Sequence, residues 1–282
     1  MSIKVNNISF TYMKKTPNEF KALDGVSFEI PTGSYTTIIG HTGSGKSTLV
    51  QMFNALLTPD EGTIDINGNI ITNKMRGKEI INLRKRVGLV FQFPEYQLFE
   101  ETVEKDVAFG LVNFGVDKNV ALEQSRKVLL ELGFNENIFT RSPFDLSGGE
   151  RRKVALAGIL VLKPEILILD EPTAGLDPKS AKEILNLINK LHSEGTTVVV
   201  VTHDMDIVFK YSTQVLVINH GNLVYNGTCE NLFEDNNDYN IEIPKMFEFL
   251  TYLKKNGVVV PSNKSKTTDD IIEYLSSVRR KS

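Results

Sequence analysis

The chain has 282 residues, of which 41% are hydrophobic and 24% are charged, and its formal net charge is -3. These values are ordinary for a globular chain with a sizeable core; they exclude a disordered chain and provide no overall basic field for nucleic acid. The single cysteine, Cys229, excludes an internal disulfide, and the apolar runs are far shorter than the ~20 residues that span a bilayer. We therefore expect a reducing compartment, no secretory signal and, if the chain works at a membrane, attachment through another chain.

Two segments at the amino terminus alternate between apolar and polar residues and predict an antiparallel β element. They are Ile3–Tyr12 and Ala22–Ile30, with a polar stretch at 14–19 between them. The Tyr12 ring, at the end of the first strand, has two open roles. It could stack on a nucleotide base, or it could pack as an ordinary half-buried strand residue, which the alternation by itself favours.

The octapeptide GHTGSGKS at 40–47 lies between an apolar run at 35–39 and a predicted helix over Thr48–Leu57. Its form, GxxxxGKS, suits a triphosphate because backbone N–H groups must wrap a compact anion and glycines permit the close approach. The helix that follows directs its positive end at the phosphates. Lys46 would reach the β and γ phosphates, and the Ser47 hydroxyl would ligate Mg²⁺. A simple Gly/Ser turn is the alternative, and the flanking strand and helix argue against it.

The region that follows this helix predicts short elements and then a helical insertion. FPEYQLF at 93–99 contains a proline and several aromatic residues, so we expect an irregular surface segment there. Helical spacing of apolar residues then continues to Leu162, which predicts a helical subdomain inserted at about 93–162. The individual predictions are a turn at 58–62, two short strands within Thr63–Ile71, a basic helix at Lys78–Arg86, a strand at Val87–Gln92, and helices at Thr102–Phe114 and Asn119–Leu132.

LSGGE at 146–150 predicts the start of a helix that continues to Leu162. Ser147 is a favourable N-cap residue, whereas a glycine in a helix interior costs about 1 kcal/mol relative to alanine. At the amino-terminal end, Gly148 and Gly149 would instead expose backbone N–H groups to an anion. The alternative is that Ser-Gly-Gly forms a plain loop.

EILILDE at 165–171 predicts a buried parallel strand that ends in two carboxylates. Asp170 would hold Mg²⁺ directly or through water, and Glu171 would polarise the attacking water near the γ phosphate. The alternative is an acidic N-cap for the helix predicted at Pro178–Leu191.

The strand predicted at Thr196–Val201 would deliver His203 to the same edge of the sheet. An isolated histidine there is more often packed or solvated than catalytic, because histidine has many roles. His203 gains significance only from the motifs around it.

Six motifs occur together and resemble those of the ATPase subunits of ABC transporters. They are GHTGSGKS at 40–47, Gln92 after its strand, LSGGE at 146–150, LILDEP at 167–172, AGLD at 174–177, and His203. LSGG, the signature motif, lies between the phosphate loop and the LILDEP strand and distinguishes this family from most other phosphate-loop proteins. The stretch VFQFPEYQLFEETVEKDVAFG at 90–110 further resembles the ATP-binding subunits of energy-coupling factor transporters, the second of their two paralogues more than the first.

The resemblance implies an α/β fold: a phosphate-loop NTPase core with a mixed central sheet, an antiparallel β element, the inserted helical subdomain and a C-terminal helical tail. Residues 1–230 would form an ABC-type nucleotide-binding domain, and 231–282 a helical extension. In the extension the sequence predicts a polar linker at 235–240 and helices at Pro244–Lys255 and Thr268–Lys281, the last with Thr268 as N-cap. Its apolar helical face either packs on its own domain or contacts a second subunit.

The resemblance also implies the catalytic and metal roles. Glu171 would be the catalytic carboxylate, and His203 would hold the γ phosphate and the water in geometry. Gln92 would contact Mg²⁺ and the attacking water, so that the metal would be held by Ser47, Gln92 and Asp170.

ATP would be shared between two subunits. Residues of one subunit that would bind it are Tyr12, stacked on adenine, and Gly40, His41, Thr42, Gly43, Ser44, Gly45, Lys46, Ser47 and Thr48. The facing subunit would contribute Ser147, Gly148 and Gly149, with Asp177 at the interface. Glu150 stands where the family most often has glutamine, which leaves its detailed contact open.

The implied partners are a second ATPase subunit, expected to be a paralogue in a heterodimer, a transmembrane scaffold contacted through 93–99, and a separate substrate-binding membrane subunit. We expect no nucleic acid partner. The chain would work as a peripheral protein at the cytoplasmic face of the cell membrane and power import of vitamins or transition-metal ions. The sequence does not encode the cargo, and a homodimer stays open as well.

Three alternatives remain at this point. The ATPase head of a DNA-maintenance protein shares the LSGG motif but needs long heptad arms, and the interval 48–146 has no sustained heptads. A regulatory module that does not turn over ATP would be expected to lack Glu171 or His203. The ATPase subunit of another ABC importer class is the nearest alternative.

Overall fold

The computed structural model describes residues 1–234, 239, 241–261 and 265–279, with only the backbone described at 278 and 279. Most of the predicted linker at 235–240 and the carboxyl end of the last predicted helix lie outside these residues. The described strands are β1 Ile3–Tyr12, β2 Phe20–Ile30, β3 Tyr35–Ile39, β4 Glu61–Ile66, β5 Asn69–Ile71, β6 Val87–Val90, β7 Ile166–Asp170, β8 Thr197–Val201, β9 Gln214–Asn219 and β10 Asn222–Gly227.

The helices alternate with the strands and continue beyond them, which confirms the α/β class. The described α-helices are α1 Lys46–Phe53, α2 Lys78–Arg86, α3 Val103–Asn113, α4 Lys118–Glu131, α5 Gly148–Leu160, α6 Pro178–Ser193, α7 Met205–Tyr211, α8 Cys229–Glu234, α9 Lys245–Lys255 and α10 Thr268–Arg279. Among the described residues we find no helix with the length and apolar character that membrane crossing requires.

The larger sheet determines where the loops meet. Its strand order is β10-β9-β3-β8-β7-β6, with β10 antiparallel and the other strands parallel to their neighbours. β7 and β8 read ILILD and TVVVV and are buried throughout, as parallel strands covered on both faces should be. Register pairs Asp170 with Val201 and Leu169 with Val90. The carboxyl ends of β3, β6, β7 and β8 therefore lie at one edge.

The smaller sheet is antiparallel, in the order β2-β1-β4-β5, and confirms the β element predicted at the amino terminus. Its apolar face and that of the larger sheet share one core with α1, whose Leu49, Met52 and Phe53 are fully buried. Register opposes Tyr12 to Phe20 at the turn end of the β1–β2 hairpin. The phosphate loop therefore lies where the two sheets meet.

The residues between β6 and β7 form a helical region with a core of its own. Apolar side chains from α3, α4 and α5 pack together there, among them Val107, Leu129 and Val154, all fully buried. The predicted helices agree with α3 and α4 to within a residue at each end. The aromatic segment at 93–99 precedes these helices and contains one short 3-10 helix, Pro94–Gln97.

Two boundaries predicted from the sequence are wrong. The loop helix begins at Lys46 and ends at Phe53, not at Leu57, because Ala55 has a positive φ of 51° that breaks the helix. The last helix is preceded by Thr267, and the Thr267 hydroxyl, not that of Thr268, accepts from the Asp270 N–H at 3.1 Å. Three elements, α7, β9 and β10, have no counterpart among the elements predicted from the sequence.

The tail helices pack on the end of the larger sheet. Leu232 of α8 and Phe209 of α7 are buried in one cluster with Cys229, and Phe247 of α9 packs against it. Lys266 reaches back to donate to the Phe209 carbonyl at 3.1 Å. The described part of the tail therefore has contacts with its own domain.

Candidate active site

The phosphate loop is shaped by close backbone contacts. An added Cβ at Gly40 would lie 2.1 Å from the Ile218 carbonyl oxygen, and one at Gly45 would lie 2.5 Å from the Ala22 carbonyl oxygen. Both glycines also have positive φ, 145° and 108°, which other residues rarely adopt. Gly45 is the N-cap of α1, so the loop N–H groups and the helix amino terminus converge on one concave surface.

The other loop residues line or brace this surface. The His41 ring contacts the Thr42 carbonyl oxygen through Nδ1 at 2.8 Å and the Asn219 side chain through Nε2 at 2.9 Å. The Ser44 hydroxyl is buried without a hydrogen-bond partner among the described residues. Gly43 lines the same concavity. The carbonyl oxygen of Ser44 accepts from the Gly221 N–H at 2.9 Å, which ties the loop to the β9–β10 turn.

Lys46 and Ser47 connect the loop to the end of β7. The Lys46 ammonium donates to the carbonyl oxygens of Gly40 and His41 at 2.7 and 2.8 Å. Burial lowers the pKa of Lys46, and the charges of Glu171 and Asp170 oppose that effect. Burial also raises the pKa of Asp170, against a hydrogen bond from the Ser47 side chain. A cation beside Asp170 would therefore compensate a buried carboxylate.

Glu171 and His203 lie side by side at the same edge of the sheet. His203 Nδ1 is 2.9 Å from Glu171 Oε1, so we assign the proton on Nδ1 to this bond. Glu171 has a positive φ of 50°, and its N–H donates to the Val201 carbonyl oxygen at 2.9 Å. β8 and the residues that follow it thus hold both the backbone and the carboxylate of Glu171. The acidic N-cap alternative is wrong, because Asp177 caps α6 by accepting from Ser180 N–H at 3.0 Å.

Gln92 follows β6 and is exposed, two residues beyond the pairing of Val90 with Leu169. β6 lies beside β7, so Gln92 and Glu171 extend from neighbouring strands at the same edge. The structure therefore brings Lys46, Asp170 and His203 to this edge together with them.

Tyr12 lies beside the loop, and its expected stacking on adenine stays a prediction. Its hydroxyl is 3.1 Å from the Thr48 Oγ1, and its ring packs edge-on against Phe10 at 4.8 Å. A cleft of about 150 Å³ beside the loop is lined instead by Phe20, together with Gly43 and other loop residues. Phe20 is 54% exposed. No local pattern in the sequence marks Phe20 as a cleft residue. Its position follows from the hairpin register, which places it opposite Tyr12.

Ser147, Gly148 and Gly149 start α5 and lie apart from these contacts. Ser147 is the N-cap, so the plain-loop alternative is wrong, and the Glu150 carboxylate accepts from the Ser147 N–H and hydroxyl at 2.9 and 2.7 Å. These hydrogen bonds lower the pKa of Glu150. Within the described part of the chain, an added Cβ at Gly148 would meet nothing within 4 Å, and one at Gly149 would meet only the Ser180 side chain.

The residues present fit a magnesium nucleotide. Gly40 and Gly45 form a cradle that a Cβ would fill, and their loop presents N–H donors to an anion. Ser47 and Asp170 offer a hydroxyl and a carboxylate, and Gln92 an amide oxygen. Mg²⁺ prefers such oxygen ligands and usually keeps waters and phosphates besides one or two carboxylates. A larger acidic cluster is therefore not required.

Comparisons with known proteins agree with this geometry. The ABC transporter family profile matches residues 23–174. The energy-coupling factor transporter ATP-binding protein EcfA2 of Streptococcus pneumoniae is 49% identical over 92% of this chain and 94% of its own length. EcfA2 of Streptococcus pyogenes is 47% identical over 93% of this chain and 95% of its own length.

Solved structures with the same fold give the same assignment. The structure of cbiO1 from Clostridium perfringens, part of the ABC transporter complex cbiONQ, is 35% identical with a TM-score of 0.74 over 90% of this chain and 96% of its own. The ATP-binding cassette MJ0796, a dimer in a post-hydrolysis state with ADP and Pi, is 30% identical with a TM-score of 0.72 over 80% of this chain and 98% of its own. This chain therefore belongs to the ABC transporter ATPases and, within them, to the ATP-hydrolysing subunits of energy-coupling factor transporters.

Proposed function

We propose that this chain pairs head to tail with a second, paralogous ATPase subunit and hydrolyses Mg·ATP between them to drive import through a transmembrane scaffold. One observation carries the proposal: Glu171 and His203 lie beside the phosphate loop, whereas at the helix start Ser147–Gly149 a Cβ added to Gly148 would meet no atom of the described residues within 4 Å. The dimeric state of MJ0796 with ADP and Pi supports such a pairing.

The residue roles follow from the contacts at the sheet edge. Glu171 would polarise the attacking water, since its backbone is fixed and its carboxylate is near the loop. His203 would orient that carboxylate through Nδ1 and leave Nε2 for the γ phosphate and water. Lys46 would exchange the two carbonyl oxygens it now contacts for phosphate oxygens. Mg²⁺, when bound, neutralises charge on the phosphates.

Six further residues would hold the metal or bind the nucleotide. Ser47, Asp170 and Gln92 would hold the metal. Thr48 would bind phosphate after releasing the Tyr12 hydroxyl, which now lies 3.1 Å from it. The released Tyr12 ring could then stack on adenine, and Phe20 would cover the opposite part of the cleft.

The proposed transport role depends on the aromatic segment 93–99. The side chains of Tyr96 and Phe99 are 80% and 56% exposed in the aromatic segment that follows Gln92. We assign this surface to helices of the scaffold, which would place the chain peripherally at the cytoplasmic face of the membrane. Vitamins or transition-metal ions are the proposed cargo, bound by a separate membrane subunit, because the relatives named EcfA2 serve energy-coupling factor transporters.

Hydrolysis by the pair can be tested with purified chains. We expect this chain alone to bind ATP but to turn it over poorly, and the addition of its paralogue to raise turnover per site at least about tenfold, because only then does the signature helix face the phosphates. Full activity in a strictly monomeric preparation would contradict the shared site.

The cargo can be tested by isolating the assembled complex from membranes. Mass spectrometry of the co-purified membrane proteins and of their bound ligand should identify a small integral membrane protein with a vitamin or metal ion. Recovery with a soluble binding protein for amino acids instead would contradict the energy-coupling factor assignment of the cargo.

A further inference from the structure

Arg152, in the second turn of α5, is almost completely buried, with 1% of its surface exposed. A guanidinium is seldom buried unless its donors are satisfied, because it cannot lose its charge. Arg152 donates from Nε and Nη2 to the two Glu95 carboxylate oxygens at 2.9 and 2.7 Å. This two-point pairing with Glu95 fixes the plane of the guanidinium.

Glu95 belongs to the short helix Pro94–Gln97, which begins two residues after Gln92. Burial opposes ionisation of Glu95, but the hydrogen bonds and charge of Arg152 more than offset this and lower the pKa of Glu95. Phe93 adds a second contact, since its ring centre lies 5.4 Å from the guanidinium carbon. Arg152 is therefore held to the same segment that carries the exposed Tyr96.

The remaining edge of the guanidinium contacts the turn that follows Glu171. Nη1 donates to the Pro172 and Ala174 carbonyl oxygens at 3.2 and 2.8 Å. Phe93 also touches this turn, because an added Cβ at Gly175 would lie 3.2 Å from the ring. One side chain thus joins the signature helix α5, the segment after Gln92 and the backbone next to the catalytic carboxylate.

We propose that Arg152 is a positioning residue that makes these three segments move together, so that displacement of the aromatic surface sets the position of Glu171. The planar guanidinium transmits this displacement because its donors are rigidly related, unlike the single rotatable ammonium of lysine. Movement of Glu95 therefore displaces the Pro172 carbonyl. This inference rests on the proposed role of Glu171 and adds the residue that links it to the membrane-facing surface.

The test uses the complete transporter with Arg152→Lys in this chain and measures ATP affinity, kcat and cargo imported per ATP. Lysine keeps the charge, but its three N–H donors cannot replace the two bonds to the Glu95 carboxylate together with those to both carbonyl oxygens. We expect ATP affinity within about twofold of wild type, kcat lower by at least about tenfold, and less cargo per ATP, since small displacements of a catalytic group are costly.

Arg126→Lys is the matched control. Arg126 pairs with Glu104 at 2.6 Å in the same helical region, but its side chain is 50% exposed. This ion pair does not involve the turn that follows Glu171. We expect its kcat and its cargo per ATP to stay within about twofold of wild type. Equal values for Arg152→Lys and Arg126→Lys would overturn the proposal.

A double variant separates positioning from folding. Arg152→Met with Glu95→Leu replaces the buried pair by apolar residues, a change that often preserves stability. If the thermal midpoint of this double variant is near that of wild type while kcat and cargo per ATP stay low, the proposal holds. If kcat, cargo per ATP and the thermal midpoint of the double variant are all near those of wild type, the Arg152–Glu95 pair is only structural and the proposal is overturned.

Glu171→Gln, assayed in parallel, identifies which hypothesis fails. Normal turnover by that variant would overturn both the role of Glu171 and this inference. Loss of turnover in Glu171→Gln together with normal kcat and coupling in Arg152→Lys would overturn the inference alone.

Discussion

The phosphate loop and the start of α5 both contain glycines, but the chain requires these glycines for different reasons. In the phosphate loop, Gly40 and Gly45 are required by the chain itself, because an added Cβ would collide with the backbone carbonyl groups of Ile218 and Ala22. At the start of α5, a Cβ on Gly148 would meet nothing within 4 Å. The phosphate loop needs its glycines for contacts within this chain, whereas no contact among the described residues explains the glycine at 148.

This difference indicates where the second half of the site must be found. A glycine in a helix that neither needs positive φ nor avoids a neighbour is unfavourable without an outside reason. Under the proposed pairing, a phosphate of a facing subunit, approached by the N–H groups of Gly148 and Gly149, would supply that reason. Binding should therefore depend mainly on the loop, and turnover on both segments.

The largest expected effect separates binding from hydrolysis within the loop half. Glu171→Gln should keep ATP binding, because the loop contacts are unchanged, and lower the turnover of the paired enzyme on the order of 10²-fold or more, the scale of a lost general base. Titration with labelled ATP and a steady-state ATPase assay measure the two quantities. Glu194→Gln, an exposed change before the amino end of β8, serves as control. Near-normal hydrolysis by Glu171→Gln would remove Glu171 from its role.

A second prediction tests the comparison directly through Gly148→Ala. The methyl group meets no atom of the described residues within 4 Å, so we expect the free energy of unfolding to stay equal or rise slightly. In the pair it would obstruct the approach of phosphate, and we expect kcat/KM to fall by about tenfold or more. Calorimetry of the isolated chain and ATPase assays of the pair measure these opposite changes.

Gly158→Ala, in the same helix, is the control for Gly148→Ala. Its Cβ would make ordinary contacts at 3.9 Å with the Asp106 carbonyl oxygen and Val107, so we expect it to gain about 0.5–1 kcal/mol of stability without loss of activity. If Gly148→Ala leaves the activity of the pair unchanged as well, the signature segment does not face a nucleotide. The contrast between the phosphate loop and the start of α5 would then have no functional meaning.

A third prediction concerns the edge of the loop half. Phe20 lines the cleft beside Gly43, and removal of an exposed aromatic contact is worth about 1 kcal/mol, so Phe20→Ala should weaken ATP affinity by about fivefold. Isothermal titration of the isolated chain measures this affinity, with Tyr252→Ala, an exposed aromatic change in the tail, as control. An unchanged affinity would leave adenine recognition to Tyr12 alone.

The sequence predicts the parts of this molecule that depend on local pattern. The fully apolar β7, the glycine-rich loop and the Ser147 cap are read from neighbouring residues, and the structure contains each element within one or two residues of the prediction. β9 was missed because QVLVIN is a short apolar run between turn residues, which periodicity alone cannot assign.

What the sequence could not predict depends on contacts between distant segments. Phe20 enters the cleft through the hairpin register opposite Tyr12, and Arg152 contacts Glu95 and the Pro172 carbonyl only after α5 packs beside β7. A basic residue after a signature motif would ordinarily be assigned to solvent. Its burial follows from the tertiary position of three segments rather than from any local spacing.

The smallest effect belongs to Glu150, in the signature half. The single hydrogen of the Ser147 hydroxyl is donated to the Glu150 carboxylate at 2.7 Å, and a charged acceptor holds a donor more strongly than a neutral one. Glu150→Gln keeps an acceptor oxygen for the N-cap but frees the hydroxyl for a facing phosphate, so we expect the KM for ATP of the pair to fall about twofold with kcat unchanged. Steady-state kinetics beside Glu131→Gln, an exposed control in α4, measures this change. A KM that stays equal or rises would show that the Ser147 hydroxyl does not limit binding, and the signature half would then act through its backbone N–H groups alone.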